Sequence, residues 1–190
     1  MKNAFVFHGT GGFPEENWFP WLKTELENHD IAVTVPEFPT PKGQSFDAWL
    51  EIMKPYQNAI TPDTLLIGHS LGGLFLLRYL EQLEHPVAAS IFVAASAGVK
   101  PIKFYEADAA FSDGFAFNWG VIRRVAGNVA VFHSDDDPYV SLGNGELIAD
   151  KLDADLAVIQ HAGHFNASSG YISFPQLLES VLEITTDGHS

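Results

Sequence analysis

The amino-acid sequence predicts an α/β fold in which a mainly parallel sheet of six strands carries helices on both faces. Six short runs of apolar, β-branched or aromatic residues recur along the 190-residue chain. Each run is apolar throughout instead of alternating, which is typical of strands covered on both faces. Most of the segments between the runs are long enough for a crossover helix. Strands and helices therefore alternate, as they do in the α/β class.

The six predicted strands are bounded by polar residues or by glycine and proline. In chain order they are residues 4–7, 31–35, 64–67, 89–94, 129–132 and 156–159. Parallel strands end at the same edge of a sheet, and open α/β sheets bind ligands beyond that edge. We therefore expect functional residues in the loops that directly follow the strands.

Five helices are predicted from apolar residues at helical spacing. The first contains Trp18, Trp21, Leu22 and Leu26, and Pro20 is tolerated in its first turn, where a missing N–H group costs little. The others cover residues 46–53, 71–83, 145–152 and 174–184. Pro55 ends or kinks the second of them.

Two segments interrupt the alternation of strands and helices. The proline-rich segment 36–43 is expected to form a stiff loop at the carboxyl edge of the sheet. The segment 100–128 is longer than a simple crossover and rich in aromatic residues. An amphipathic helix with a loop is favoured there over a cap that covers substrate. We expect one domain over residues 1–190, with residues 101–128 as a small cap or aromatic insertion.

The charge balance and the residue types exclude several classes of protein. The chain has 10 Lys and Arg against 24 Asp and Glu, a formal net charge of −14, whereas nucleic-acid binding depends on clustered basic residues. It has no cysteine, which excludes disulfide scaffolds, thiol catalysis and cysteine-based zinc sites. No apolar run is long enough for a membrane span or a signal peptide. We expect a cytoplasmic protein with no nucleic-acid or membrane partner, and no protein partner can be identified.

The sharpest motif is Gly68-His69-Ser70-Leu71-Gly72, a G-x-S-x-G sequence. It lies directly between a predicted strand and a predicted helix, which is the context in which this motif presents a serine hydroxyl at the top of a sheet. The alternative is a chance match in which Ser70 is only a turn residue, and the strand before and the helix after the motif argue against it. The pattern predicts Ser70 as a nucleophile.

A serine nucleophile needs a general base, and the base needs a third group that fixes its tautomer. Asp137 follows the fifth predicted strand and His164 follows the sixth. The chain order Ser, Asp, His is the order found in hydrolases that carry this motif. We predict that Ser70, His164 and Asp137 form a catalytic triad at the carboxyl edge of the sheet.

Neighbouring residues compete for these roles. His133 and His161 are alternatives to the base, although strand-end histidines more often pack or cap the sheet, and Asp136 is the second choice for the acid. The carboxylates of residues 135–137 could also suggest a cation site, but adjacent residues rarely converge on one ion. His69 is assigned to packing or loop support, because its side chain should point away from the nucleophile. We expect no metal ion.

Acyl transfer also needs hydrogen-bond donors for a developing oxyanion. The backbone N–H of Leu71 is one candidate, and the backbone N–H of Thr10, in the loop at residues 8–12, is the other. That glycine-containing loop does not fit a dinucleotide site, because the third glycine of G-x-G-x-x-G would fall at Pro14. A phosphate loop is excluded by the missing Gly-Lys-Ser/Thr. No cofactor is expected.

The substrate pocket is expected near the same edge of the sheet. Its predicted wall residues are Gly9, Phe38, Phe115 and Trp119, chosen by their position in the loops and in the aromatic segment. Such a wall suggests small, uncharged or apolar acyl groups.

Several motifs together carry a resemblance to a known family. They are residues 8–12, residues 17–22, residues 36–39 followed by Trp49, residues 68–70, residues 136–138 and residues 163–165. Essentially end to end, the chain resembles the YdeN-type small serine hydrolases, bacterial relatives of the animal retinoblastoma-binding protein 9 hydrolase. The resemblance implies a compact α/β-hydrolase fold without the leading antiparallel strands of larger members. It also implies that the aspartate before proline, Asp137, is the triad acid.

The predicted function is hydrolysis of a small ester-like, or amide, substrate through an acyl-enzyme on Ser70. This would be a carboxylesterase-like serine hydrolase. The alternative is a binding or scaffold protein that uses the fold without turnover, since a fold does not dictate function.

Overall fold

Six parallel strands form one sheet in the computed structural model, which describes residues 2–100, 102–103, 109, 111 and 115–187. The strands are β1 (Asn3–Phe7), β2 (Ala32–Thr34), β3 (Thr64–His69), β4 (Ala89–Val93), β5 (Asn128–Ser134) and β6 (Leu156–Ile159). Their spatial order is β2-β1-β3-β4-β5-β6, and every neighbouring pair is parallel. The predicted fold class and all six predicted strands are confirmed.

Six α-helices have defined bounds in the described part of the chain, where Ala109 and Phe111 are also helical. They are α1 (Phe19–Glu27), α2 (Phe46–Met53), α3 (Leu71–Leu80), α4 (Trp119–Val125), α5 (Leu142–Leu152) and α6 (Pro175–Asp187), with 3₁₀ segments at Lys54–Ala59 and Ala167–Ser169. Every predicted helix is present, although α3 ends earlier and α5 begins earlier than predicted. Among the described residues, no helix has the length and apolar character needed to cross a membrane.

The alternation of side chains along each strand divides the core into two layers. On β1, Phe5 and Phe7 point to one face and Ala4 and Val6 to the other. Helices α2, α3, α4 and α5 cover the first face, and α1 and α6 cover the second. A sheet with both faces covered explains why the strands are apolar throughout.

The topology of the sheet reverses between β1 and β3. From β1 the chain passes outward to β2, whereas from β3 it passes in the opposite direction to β4. The loops that follow these two adjacent strands therefore diverge and leave a crevice at the carboxyl edge, where open α/β sheets bind ligands. Ser70 follows β3 at this crevice.

Backbone atoms pack directly against one another where α3 begins. A Cβ atom on Gly72 would collide with the carbonyl group of Phe7 on β1, and one on Gly73 would collide with the side chain of Ala95. The first turn of α3 can therefore approach β1 only because these positions carry no side chain. This close packing fixes the start of the helix relative to the sheet.

Gly72→Ala is expected to lower the free energy of unfolding by about 2–3 kcal/mol, because the new methyl group must displace the backbone of β1. Gly120→Ala is the matched control. Gly120 is an exposed residue of α4, and the nearest atom to a new Cβ, Asn118 Oδ1, would be 3.6 Å away. The control should be neutral or stabilise by up to about 1 kcal/mol. Urea unfolding measures the free energy of unfolding of both variants. Equal values for Gly72→Ala and Gly120→Ala would contradict the packing argument.

Candidate active site

Ser70 occupies a strained turn between β3 and α3. Its backbone angles are φ 57° and ψ −122°, a conformation that costs a residue other than glycine about 1–3 kcal/mol. Its N–H donates to the Val93 carbonyl at 3.0 Å, and its carbonyl accepts from the N–H groups of Gly73 at 3.0 Å and Ser96 at 3.2 Å. The surrounding backbone therefore holds the turn in place.

The loop after β1 lies directly against this turn. A Cβ atom placed on Gly9 would be 2.8 Å from Ser70 Cβ and 3.2 Å from Ser70 Oγ. Only glycine allows so close an approach. The loop after β1 and the turn that carries Ser70 are thus in contact.

His164 lies on the loop that follows β6 and is 7% exposed. Its Nδ1 is 2.8 Å from Oδ2 of Asp137. A carboxylate oxygen only accepts, so Nδ1 donates, and the neutral imidazole keeps Nε2 free of a proton. The rings of His69 and Tyr139 flank the imidazole, with centroids 4.9 Å and 5.0 Å away. The ring therefore has one orientation and one tautomer.

The Asp137 side chain is fully buried. Its Oδ2 accepts from His164, and its Oδ1 accepts from the backbone N–H groups of Tyr139 at 2.8 Å and Val140 at 3.0 Å. Both carboxylate oxygens thus have donors, as a buried carboxylate requires. The geometry favours Asp137 over Asp136 as the partner of the imidazole.

Three side chains fasten the loop of His164 to the loop that follows β5. Oδ1 of Asp135 accepts from the N–H of His161 at 2.8 Å, Oγ of Ser134 from that of Ala162 at 3.0 Å, and Oδ1 of Asp136 from that of Gly163 at 2.9 Å. Hydrogen bonds from the Ser134 hydroxyl and the Gly163 amide also lower the pKa of Asp136. The two loops are consequently held in register.

This loop-to-loop bonding also accounts for the acidic cluster considered as a cation site. Donor atoms of Asp135, Asp136 and His161 lie within 4.8 Å of one another, and all three residues are exposed. Both carboxylates are engaged by amides of the neighbouring loop. The cluster is therefore explained by loop structure.

Two other histidines near the site are buried and neutral. Burial lowers the pKa of His69 to about 3, and its Nε2 donates to the His164 carbonyl at 2.8 Å. Burial also lowers the pKa of His133, whose Nε2 donates to the Val140 carbonyl at 3.0 Å and lies 3.9 Å from Asp137 Oδ2. Both rings therefore support the loops, as expected for His69, and neither competes with His164.

A further neutral histidine supports the loop after β1. Nε2 of His8 accepts from the N–H of Phe38 at 3.0 Å, so Nδ1 carries the proton and donates to the Gly9 carbonyl at 3.0 Å. Burial lowers the pKa of His8. The same carbonyl accepts from the N–H of Gly12 at 3.1 Å. These bonds fix the peptide between Gly9 and Thr10.

One cavity of about 360 Å³ contains both Ser70 and His164. Of the other predicted site residues, Gly9 and Thr10 line it, whereas the Leu71 side chain is buried in the core. The described residues that line it are Gly9, Thr10, Glu16, Asn17, His69, Ser70, Ile102, Tyr139, Val140, His164, Asn166, Ala167 and Ser168. A volume of this size suits a small molecule.

Three of the four residues predicted for the pocket wall do not line this cavity. Phe38 is 3% exposed and stacks on Trp49, with ring centroids 4.3 Å apart. Phe115 covers the guanidinium group of Arg78 at 3.9 Å, and Trp119 begins α4 and packs against the core. The rings of these three residues contact packing partners outside the described lining of the cavity.

The aromatic segment contacts the rest of the molecule in two places. Arg78 of α3 lies between the rings of Phe46 and Phe115, at 3.8 Å and 3.9 Å, and Nη1 donates to the Phe111 carbonyl at 3.1 Å. At the start of the segment, Ile102 pairs with Val140 and lines the cavity. Residues 101, 104–108, 110 and 112–114 lie outside the described residues, so a cap over 101–128 stays a prediction.

Sequence reasoning did not find several residues of the lining. Tyr139, Val140 and the segment 166–168 directly follow Asp137 and His164, so proximity to the predicted triad was the available signal. Glu16 and Ile102 belong to no motif, and Asn17 lies in the motif at residues 17–22 but was not predicted as a site residue. Asn17 Oδ1 accepts from the N–H of Ala167 at 2.9 Å and closes one side of the cavity.

Comparison with known proteins places this geometry among hydrolases. A family model described as serine hydrolase matches residues 4–183. The Bacillus subtilis (strain 168) protein YdeN is 30% identical over 174 residues, which cover 92% of this chain and 91% of YdeN. The crystal structure of that ydeN gene product matches with a TM-score of 0.91 at 29% identity, over 98% of this chain and 100% of that one.

Two further similarities extend the comparison. Serine hydrolase RBBP9 of Rattus norvegicus is 27% identical over 186 residues, which cover 96% of this chain and 95% of RBBP9. Est1E from Butyrivibrio proteoclasticus, solved with ferulic acid bound, has a TM-score of 0.75 at 15% identity, over 98% of this chain and 89% of that one. The second similarity shows a shared fold alone.

The neutral state of His69 predicts how stability depends on pH. Unfolded histidine binds a proton below about pH 6.5, whereas folded His69 binds one only near its pKa of about 3. The unfolded state therefore binds more protons in this window, and His69 lowers the free energy of unfolding by up to about 1.4 kcal/mol per pH unit as the pH falls. His69→Gln should reduce the slope of stability against pH between pH values of about 6.5 and 4.5.

The exposed His29 offers the matched control. In urea unfolding at several pH values, His29→Gln should show the same slope of stability against pH as the wild type. A slope for His69→Gln equal to that of the wild type would contradict the assignment of a neutral buried ring.

Proposed function

The chain belongs to the serine hydrolase family, and from this premise we propose that it cleaves small carboxylic esters, and amides of the same shape, through Ser70, His164 and Asp137. The resemblance to YdeN-type hydrolases that the motifs indicated is confirmed. The protein is a serine hydrolase. What remains to be proposed is which side chains act and on what bond.

One observation supports the proposal above the others. An imidazole that donates from Nδ1 to a fully buried carboxylate at 2.8 Å shares a cavity with a serine on a strained turn. A general base, its orienting acid and a nucleophile are what acyl transfer requires. Loop bonding through Ser134, Asp135 and Asp136 supports the same assignment, because it holds the base at a fixed height above the sheet.

In the acylation step Nε2 of His164 takes the proton from Ser70 Oγ while Oγ forms a bond to the ester carbonyl carbon. The carbonyl oxygen becomes an oxyanion. When the tetrahedral intermediate collapses, the bond from carbon to the leaving oxygen breaks and His164 donates its proton to that oxygen. The alcohol leaves, and the acyl group stays on Ser70.

In the deacylation step water takes the place of the alcohol. His164 removes a proton from the water as it attacks the acyl carbon, then returns the proton to Ser70 Oγ as the acid departs. In both steps the Asp137 carboxylate holds the imidazole in one tautomer and stabilises the imidazolium. Each step uses side chains of this chain. Rates of ester hydrolysis measured with and without a metal chelator are therefore expected to agree.

The oxyanion is proposed to bind the backbone N–H groups of Leu71 and Thr10. Leu71 supports this role as the first residue of α3, where backbone N–H groups lack partners inside the helix. Thr10 supports it because it lines the cavity and follows a peptide fixed by His8 and Gly12. Donors fixed before the substrate binds need no reorganisation in the transition state.

A covalent probe tests the nucleophile. A fluorophosphonate is expected to label the wild type at Ser70 and not to label Ser70→Ala, because only an activated serine attacks phosphorus at a useful rate. Intact mass spectrometry and peptide mapping locate the adduct. A folded wild type that forms no adduct and hydrolyses no ester in a panel of short-chain aryl esters would favour the alternative, a binding protein without turnover.

A pair of neighbouring substitutions tests the acid. Asp137→Asn is expected to lower kcat by about 10⁴-fold, because the amide no longer stabilises the imidazolium and favours the wrong tautomer. Asp136→Asn keeps an oxygen that can accept from the N–H of Gly163. Its decrease in kcat should therefore be far smaller. Steady-state kinetics on one aryl ester compares the two variants, and equal losses would argue against Asp137 as the triad acid.

A further inference from the structure

One of the residues that line the cavity of Ser70 and His164 is a half-buried glutamate. This residue, Glu16, lies between the loop after β1 and the start of α1. The proposed mechanism has no use for it, since Asp137 already orients the base. Among the described residues that line the cavity, Glu16 is the only carboxylic acid.

Glu16 is held against the loop that supplies the proposed oxyanion donor. A Cβ atom on Gly12 would collide with Glu16 Oε1, so the carboxyl group lies directly over the Gly12 backbone. The Glu16 N–H donates to the Phe13 carbonyl at 3.3 Å, and the carboxyl group also has a hydrogen bond to the Phe13 backbone. The carboxyl group is therefore fixed against the loop after β1, which also lines the cavity through Gly9 and Thr10.

This carboxyl group has no counter-charge in the described part of the chain. None of the ion pairs there includes Glu16. Burial raises its pKa to about 7, and only the hydrogen bond to Phe13 acts in the opposite direction. Burying an ionised carboxylate without a partner is costly. A bound cation would offset that cost.

We propose that Glu16 is a specificity-determining residue, which binds a cationic group of the substrate inside the cavity and disfavours esters that also carry a carboxylate group. The inference rests on the proposed function, which it deepens by naming the charge of the preferred substrate. It replaces the expectation of an uncharged acyl group. A fixed carboxylate in a site of reduced dielectric attracts a cation far more strongly than the same group does in water.

The charge of the whole chain acts in the same direction. With a formal net charge of −14, the field around the molecule concentrates cations and repels anions near a cleft. Long-range attraction is weakened by salt, whereas a contact inside the cavity is screened much less. Discrimination that survives high salt can therefore be assigned to the local carboxylate.

Matched esters test the proposal by kinetics. One pair differs in the acyl part, which ends in trimethylammonium or in its neutral isostere tert-butyl, and a second pair differs in the same way in the alcohol part. Glu16→Gln is expected to lower the ratio of kcat/KM for cationic over neutral ester about tenfold in at least one pair. It should also raise kcat/KM for a carboxylate-tipped ester. Assays at pH 8.5 keep Glu16 ionised, because its pKa is about 7.

The adjacent exposed residue provides the control. Glu15 has the same charge and lies in solvent, so Glu15→Gln changes the field of the molecule equally without changing the cavity. For Glu15→Gln, the ratio of kcat/KM for the cationic over the neutral ester should equal that of the wild type in low and in high salt. A loss of the ratio in both variants would assign the discrimination to the overall field and overturn the role of Glu16.

A binding measurement separates this proposal from the proposed function. Calorimetry of the intact cationic ester and its tert-butyl analogue is carried out on Ser70→Ala and on Ser70→Ala with Glu16→Gln. Tighter binding of the cation that disappears with Glu16→Gln supports the proposal even if the wild type turns over no ester. Equal preference in both proteins, together with unchanged kinetic ratios in both ester pairs, would overturn it while leaving Ser70 chemistry intact.

Discussion

The direct contact of three backbone segments around Ser70 is the constraint on which the rest of the site depends. The end of β1, the end of β3 and the first turn of α3 approach one another with glycine at the points of contact. The strained angles of Ser70 are held by bonds to β4 and to the residues that follow it. The position of Ser70 is thus determined by the sheet and a helix, and sites built on such elements are held more precisely than sites on loops.

Neutral histidines are the second recurring device. His8, His69 and His133 are buried, each donates to a backbone carbonyl, and burial lowers the pKa of each. They fix the loop after β1, the loop after β6 and the loop after β5. His164 differs from them because it donates to a carboxylate instead of a backbone carbonyl. One residue type therefore serves both as support and as candidate base, and only the hydrogen-bond partner distinguishes the two roles.

Much of the architecture could be predicted from the sequence, because strands covered on both faces and helices with an apolar stripe leave clear patterns. The pairing of His164 with Asp137 was predictable from chain order and loop position. The pocket wall was not. Phe38, Phe115 and Trp119 were predicted there from their positions in the loops and in the aromatic segment, but aromatic rings also pack against one another in cores. Glu16 was missed because a loop residue leaves no periodic signal, and only the tertiary fold places it in the cavity.

The run of three aspartates after β5 gives each carboxylate a different partner on one facing loop. Asp135, Asp136 and Asp137 accept in turn from His161, Gly163 and His164. Such a paired arrangement tolerates exchange of individual side chains better than a change in loop length. Inserting or deleting one residue in either loop would move all three carboxylates past their donors at once. Related chains should therefore diverge here by substitution, while gaps accumulate in other loops.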